Sequence, residues 1–278
     1  MSYTAEISRN SPTCFVFLVD QSTSMEEQIG GEVPQKKAEV VADAINRLLT
    51  ELSVKCAKEE GVRDYFHVAV IGYGAAVGSA YSGVLAGRDL VPLSEVADNP
   101  ARVDERRKKV PDGAGGLVET TVAFPLWMEP VANGGTPMNR ALRYTENLVR
   151  GWIERYPGGF PPIVINLTDG ESTDGSPVDA ASAITTQATA DGAVLLFNLH
   201  VSAAGGSPIT FPNSDTELPD AHARTLFGMS SVLPSHMRSY AASQGHQTGD
   251  TTRGFVYNAD ITSVVQFLDI GTRATELR

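Results

Sequence analysis

Five oxygen-bearing side chains in this 278-residue chain have types and spacings suited to holding a hard cation: Asp20, Ser22, Ser24, Thr136 and Asp169. The first three alternate directly after the apolar run Cys14-Phe15-Val16-Phe17-Leu18-Val19. A short run of this kind predicts a strand buried on both faces of a parallel sheet. Open α/β sheets bind their ligands beyond the carboxyl ends of the strands, which is where Asp20, Ser22 and Ser24 fall. Carboxylates and hydroxyls, without nitrogen or sulfur among them, suit Mg²⁺ or Mn²⁺. Each segment also has an ordinary local use. Ser and Thr after a strand can bond nearby backbone, Thr136 before Pro137 reads as an N-cap and first helical residue, and Asp169-Gly170 reads as a turn.

Taken together and in this order, the three segments resemble the metal-ion-dependent adhesion site of the von Willebrand factor A (VWA) family. The residues that carry the resemblance are Asp20-Gln21-Ser22-Thr23-Ser24, Asn133-Gly134-Gly135-Thr136-Pro137, and Asp169-Gly170 after the run Ile163 to Thr168. The resemblance extends over nearly the whole chain. It implies Ser22 and Ser24 as direct ligands of Mg²⁺ or Mn²⁺, Asp20 and Asp169 as acids holding coordinated waters, and Thr136 binding directly or through water. With Thr136 bound directly every inner protein ligand is neutral, and a carboxylate from another molecule becomes the preferred sixth ligand. The implied function is a protein-binding adapter for a partner that presents an Asp or Glu. The implied setting is a multi-component assembly, such as those with MoxR-type AAA ATPases or kinase–phosphatase pairs. Integrin β subunits place paired Asp residues for a second cation just after this motif; here only Glu26 and Glu27 are available, so a second metal is not expected. Those two acids suit the start of a helix, where the dipole favours negative charge.

Enzyme signatures are missing from the sequence: it holds no G-x-S-x-G elbow, no P-loop and no H-E-x-x-H. Gly72-Tyr73-Gly74-Ala75-Ala76-Val77 puts Val77 where a dinucleotide fingerprint needs its third glycine. The competing reading is a metal-dependent phosphoester hydrolase using the same site. It requires a positioned base and phosphate-binding cations near Asp20 and Asp169, and neither of those segments carries a Lys or Arg. The histidines (His67, His200, His222, His236 and His246) show no ligand spacing; His200, at the end of an apolar run, suits capping or packing.

The elements that must position these residues follow from periodicity. Pro34 to Glu60 predicts a long helix with Ala38, Val41, Ile45, Leu48, Leu52 and Cys56 on one stripe and Gly61 as its stop. Phe66 to Gly74 predicts a second buried strand. The Gly- and Pro-rich stretch after it predicts an antiparallel edge with a helical or loop insertion around Ser94 to Lys109. Met138 to Tyr156 predicts an amphipathic helix, with Leu142, Tyr144, Thr145, Leu148, Val149 and Trp152 facing inward. Ser176-Pro177-Val178-Asp179 has the form of a capping box opening a helix to about Asp191. Ala193 to His200 and Gly254 to Asn258 predict strands, and Asp220 to Phe227, Pro234 to Ser243 and Ile261 to Thr275 predict helices. This alternation predicts an α/β fold: a doubly wound, mostly parallel central sheet with helices on both faces and one antiparallel edge strand. We expect a single domain over 1–278 with insertions at about 75–130 and 203–233, the latter rimming the metal face.

A net charge of -11 argues against general binding to nucleic acid or to an anionic membrane, both of which need a basic face. The basic cluster Arg102 to Lys109 is interrupted by Asp104 and Glu105 and reads as a solvated loop or short helix. No apolar run approaches the roughly 18 residues that cross a bilayer. Met1 to Glu6 has neither a basic nor an apolar leader region, so a cytoplasmic location is expected. Cys14 and Cys56 fall on a strand and a helix stripe and read as reduced core residues.

Overall fold

Alternate side chains of the first strand, β1 (Thr13–Asp20), feed two separate cores. Phe15, Phe17 and Val19 enter one, and Cys14, Val16 and Leu18 the other, all at 3% exposure or less. This is the period-two pleat of a strand covered on both faces. The computed structural model describes residues 3–29, 34–111, 116–202, 207–259 and 263–267. After β1 come α1 (Lys37–Cys56), β2 (Phe66–Tyr73), β3 (Val77–Ser79), β4 (Val91–Pro92) and α2 (Leu93–Asp98). A long two-stranded ribbon follows, β5 (Arg102–Pro111) and β6 (Leu117–Leu126). The chain continues through α3 (Met138–Arg155), β7 (Ile163–Thr168), α4 (Val178–Thr185) and β8 (Leu195–Val201). Then come β9 (Ile209–Thr210), α5 (Ala221–Met229), α6 (Ser235–Ser243) and β10 (Phe255–Ala259).

The main sheet runs β9-β10-β8-β7-β1-β2-β3, with β4 also paired to β2. β1, β2, β7, β8 and β10 are parallel. The expected antiparallel edge forms beside β2, from β3 and β4, and β9 adds a second one on the far side. Helices cover both faces: α1 and α6 through Val41, Ile45, Leu48 and Met237, and α3, α4 and α5 through Leu142, Trp152, Ile184 and Leu226. The fold is therefore α/β and doubly wound. Cys14 and Cys56 are buried, unpaired, and belong to the two different cores. None of the described helices is long and apolar enough to cross a membrane.

Several elements depart from their expected form. α1 stops at Cys56 because Ala57–Lys58 folds back onto Gly61–Val62, and Gly61 serves that turn at φ 112° instead of ending the helix. α4 is shorter than expected: it ends at Thr185 instead of about Asp191, and the chain reverses through an Ala188–Ala193 bridge. The capping box does not close there; Ser176 Oγ only accepts a 3.4 Å bond from Val178 N–H. The basic cluster from Arg102 is neither loop nor helix but strand β5. Its sequence hides this because the ribbon rests on α1 by charge as well as by apolar area. Arg106 donates to both oxygens of Asp43, at 2.6 and 2.8 Å, and its guanidinium lies 3.6 Å over the Phe124 ring. Of the expected closing helix only residues 263–267 are described, and they are helical; the rest of Ile261 to Thr275 lies outside the described residues.

Candidate metal centre

Because β1 and β7 are adjacent and parallel, with Val19 opposite Leu167, the loops that leave them emerge side by side. The third loop is clamped to the first: Asn133 N–H donates to Gln21 O at 2.6 Å and Thr23 N–H to Gly134 O at 3.0 Å. Two glycines permit the approach. A Cβ at Gly74 would come within 2.6 Å of the carbonyl oxygens of both Gln21 and Asn133, and Gly134 sits at φ 79° against Ala75.

All four residues from the β1 and β7 segments meet. Asp20 is 1% exposed; its Oδ1 accepts from Ser22 N–H at 2.8 Å and its Oδ2 from the Thr168 hydroxyl at 2.8 Å. Ser24 donates its hydroxyl to Asp169 Oδ1 at 2.7 Å. The Ser22 and Ser24 oxygens lie 3.0 Å apart. Neighbouring oxygens in an octahedron with bonds of about 2.0–2.1 Å are separated by about 3 Å, so the two hydroxyls already have the spacing of adjacent Mg²⁺ ligands. Among the described residues no three His, Cys, Asp or Glu side chains converge as a cation site. A cation here would rest on hydroxyl oxygens, with the carboxylates behind them. Burial pushes the Asp20 carboxyl up to about 6, aided by the charge of Asp169 and opposed by the bonds from Ser22 and Thr168.

One residue at this centre was not expected. Lys37, the first residue of α1, has a side chain only 5% exposed, and its ammonium donates to Asp169 Oδ2 at 2.9 Å and to Glu27 Oε2 at 2.7 Å. Burial works to lower its pKa, but Glu27 and Asp169 hold it above the ordinary value. The segments of Asp20 and Asp169 do lack a basic residue, yet the fold delivers one from α1. Glu26 pairs likewise with Lys36, at 2.6 Å, so both acids after the motif face lysines.

Thr136 is 5% exposed, and its loop is tied to the one after β7. Thr136 N–H donates to Thr173 Oγ1 at 3.0 Å, and Thr173 N–H donates to Thr136 O at 2.9 Å. Its hydroxyl does not cap α3. That task falls to Asp174, whose carboxylate accepts from Asn139 N–H at 3.0 Å and Arg140 N–H at 2.9 Å. The Thr136 hydroxyl lies toward Gly170, 4.0 Å from where a Cβ would stand on that residue. Partial burial opposes ionisation of Asp174, but the bonds from Arg140, Ser172 and Asn139 hold its carboxyl below the usual range. Asp174→Ala should therefore cost about 1–2 kcal/mol at pH 7 by denaturant unfolding. The loss should shrink as pH falls through the lowered pKa, where the wild-type carboxyl also gives up its charge. A pH-independent loss would assign the effect to packing.

The sequence matches no known family's profile and no curated protein. Solved structures align with it at low identity. The first is a von Willebrand factor type A structure. It comes from Catenulispora acidiphila, at TM-score 0.49 and 16% identity, covering 95% of this chain and 43% of that one. The manganese-loaded TRAP protein of Plasmodium vivax aligns at TM-score 0.41 and 12% identity, covering 93% of this chain and 72% of that one. The vWF domain of the type V pili tip protein Mfa5 from Porphyromonas gingivalis aligns at 0.31 and 15%, covering 58% and 39%. The chain thus spans less than half the length of the Catenulispora chain. The reading of the site rests on its own residues.

Sequence reasoning missed two further features, a buried polar row and His222, while His200 takes a packing role as expected. A buried polar row runs beneath the loops: the Tyr73 hydroxyl donates to Asn166 Oδ1 at 2.7 Å, Asn166 Nδ2 to Asn198 Oδ1 at 2.9 Å, and Asn198 Nδ2 to Ser230 Oγ at 3.0 Å. Its signal was visible as a lone Asn inside each of two apolar strands. His200 stacks on Tyr257 at 4.6 Å and accepts from Asn258 N–H at 3.4 Å; burial, then His222, lower it to about 4, so it is neutral. His222, beside Glu171, Ser172, Ser176 and Thr225, lines a cleft of about 300 Å³ next to the Asp169 loop. No sequence spacing announces that juxtaposition.

Proposed function

We propose that this chain captures a carboxylate of a protein partner through a divalent cation, Mg²⁺ or Mn²⁺, held by the hydroxyls of Ser22, Ser24 and Thr136. Asp20 and Asp169 stand behind those hydroxyls and orient them. The observation that carries this reading is the division of labour among the oxygens. All four carboxylate oxygens of Asp20 and Asp169 are engaged by protein donors, whereas two hydroxyl oxygens 3.0 Å apart face the same centre. Neutral inner ligands leave a bound cation strongly electrophilic, and an outside carboxylate satisfies it. The cleft at His222 would receive the side chain beside the captured acid. A cytoplasmic multi-protein assembly, with an AAA ATPase or a kinase–phosphatase pair, is the setting we propose for the partner.

The hydrolase reading gains a nearby cation in Lys37, but that ammonium is 5% exposed and bound to two carboxylates, so it is not presented to a substrate. Capture of partner protein on the immobilised chain should be abolished by EDTA, restored by Mg²⁺ or Mn²⁺, and lost in Thr136→Ala. An acid-to-amide substitution on the partner should reproduce the loss. Capture that persists in EDTA would move the interface elsewhere. Phosphatase turnover that vanishes in Asp20→Asn would favour catalysis instead.

A further inference from the structure

Lys37 is the side chain at this centre whose presence the carboxylate-capture scheme does not require. It is costly to place: an ammonium whose side chain is only 5% exposed. Its two bonds give it a defined address. Asp169 Oδ1 takes the Ser24 hydroxyl and Asp169 Oδ2 takes the Lys37 ammonium, so one carboxylate links the cation's hydroxyl ligand to a fixed positive charge. The second acid on Lys37, Glu27, is 62% exposed and its charge is largely screened by solvent. The address is also rigid. Lys37 N–H donates to Glu27 O at 2.9 Å, and Lys37 begins α1, whose Val41, Ile45 and Leu48 are fixed in the core. The backbone that carries the ammonium is thus held by α1 and by the Glu27 carbonyl.

We propose that Lys37 sets the charge of the centre, weakening its hold on the cation and strengthening the hold of the loaded centre on an anion. The charges decide the direction. Asp20 and Asp169 alone would neutralise a divalent cation completely. With the Lys37 ammonium inside the same buried cluster, the loaded centre keeps one net positive charge. At the short distances and reduced dielectric of such a cluster, one unit charge changes a cation's affinity by roughly tenfold or more. The same charge acts with opposite sign on a carboxylate that approaches from outside. Lys37 thus acts through Asp169 and the field of the site, as a tuning and positioning residue, and touches neither the cation nor the partner.

This inference rests on the cation-binding reading above, and the test separates the two. Mn²⁺ alone is titrated calorimetrically into the wild-type chain, Lys37→Met and Glu27→Gln. Acetate is then titrated into each Mn²⁺-loaded protein, and its displacement of manganese-bound water is followed by water-proton relaxation. Lys37→Met should bind Mn²⁺ at least about tenfold more tightly and acetate several-fold more weakly. Glu27→Gln removes a mostly exposed acid and does not threaten the fold; it should move both affinities the other way, by about two- to threefold. Opposite movement of the two affinities is what a merely structural role cannot produce, since a loosened site would weaken both. Equal or weaker Mn²⁺ binding in Lys37→Met, or no change in either direction in Glu27→Gln, overturns the proposal while the cation site stands. A flat wild-type titration overturns the cation-binding reading itself, and this inference with it.

Discussion

Asp20→Asn is expected to raise the stability of the cation-free chain at pH 7.5 and to abolish its response to Mg²⁺ or Mn²⁺. Asp20 is 1% exposed and has no cationic side chain bonded to it, only the Ser22 amide and the Thr168 hydroxyl. Its pKa stands at about 6 against an ordinary 3.8, chiefly through burial. The folded chain therefore holds this proton more tightly than the unfolded chain. Stability falls as pH rises from 3.8 to about 6, and the whole cost is present at neutral pH. Two pKa units correspond to about 3 kcal/mol, so a gain of about 2 kcal/mol in the variant is a conservative expectation. The amide fits the same bonds. Its oxygen can accept from Ser22 N–H, and its NH₂ can donate to Thr168 Oγ1, whose proton has a second acceptor in Gly170 O at 3.2 Å. At pH 4 the two proteins should unfold at similar denaturant concentrations. A cation at about a hundred times its dissociation constant should add about 2.7 kcal/mol to the wild type and nothing to the variant. Denaturant unfolding of both proteins at pH 4 and 7.5, with and without Mn²⁺ at about a hundred times its dissociation constant, reads these differences. A variant less stable than wild type at pH 7.5, or one still stabilised by Mn²⁺, contradicts the assignment.

The parts of this molecule that were legible in its sequence are those in which one residue type carries one meaning. β1, β2, β7 and β8 are predominantly apolar runs, and burial on both faces of a parallel sheet needs no alternation to be recognised. That Asp20, Ser22, Ser24 and Asp169 come together was legible through the resemblance of the three segments, in that order, to the VWA adhesion-site pattern. The freedom of the Thr136 hydroxyl from capping was not legible, since Asp174 reaches α3 across 35 residues of sequence from Asn139. The same limit hid Lys37. Nothing in a run of two lysines at the start of a helix says that the second is buried, because its partner Asp169 is 132 residues away. The ribbon β5–β6 was hidden for a different reason. A strand that rests on a helix through an Arg106–Asp43 pair and an Arg106–Phe124 contact does not show the apolar alternation that marks strands.

The second large effect concerns that hidden pair. Asp169→Ala should destabilise the cation-free chain by about 2–4 kcal/mol, below the upper range for breaking a buried ion pair because Lys37 keeps Glu27. The loss has two sources: an ammonium at 5% exposure with half of its anionic surroundings gone, and a Ser24 hydroxyl without its acceptor. Adding Lys37→Met removes the first source and leaves the second. The double variant should therefore be more stable than Asp169→Ala alone, although it carries one more substitution in the core of the site. The coupling energy from the four proteins should be about 1–3 kcal/mol. It should also fall little in 1 M salt, because a pair with side-chain exposures of 5% and 0% is poorly reached by ions. Costs that simply add would mean that Lys37 is neutralised by Glu27 and that its bond to Asp169 is incidental. A coupling that disappears in high salt would mean that the pair is open to solvent. Retained coupling in both conditions places a fixed positive charge directly behind the Ser24 hydroxyl, which is the condition under which the loaded centre favours an anion.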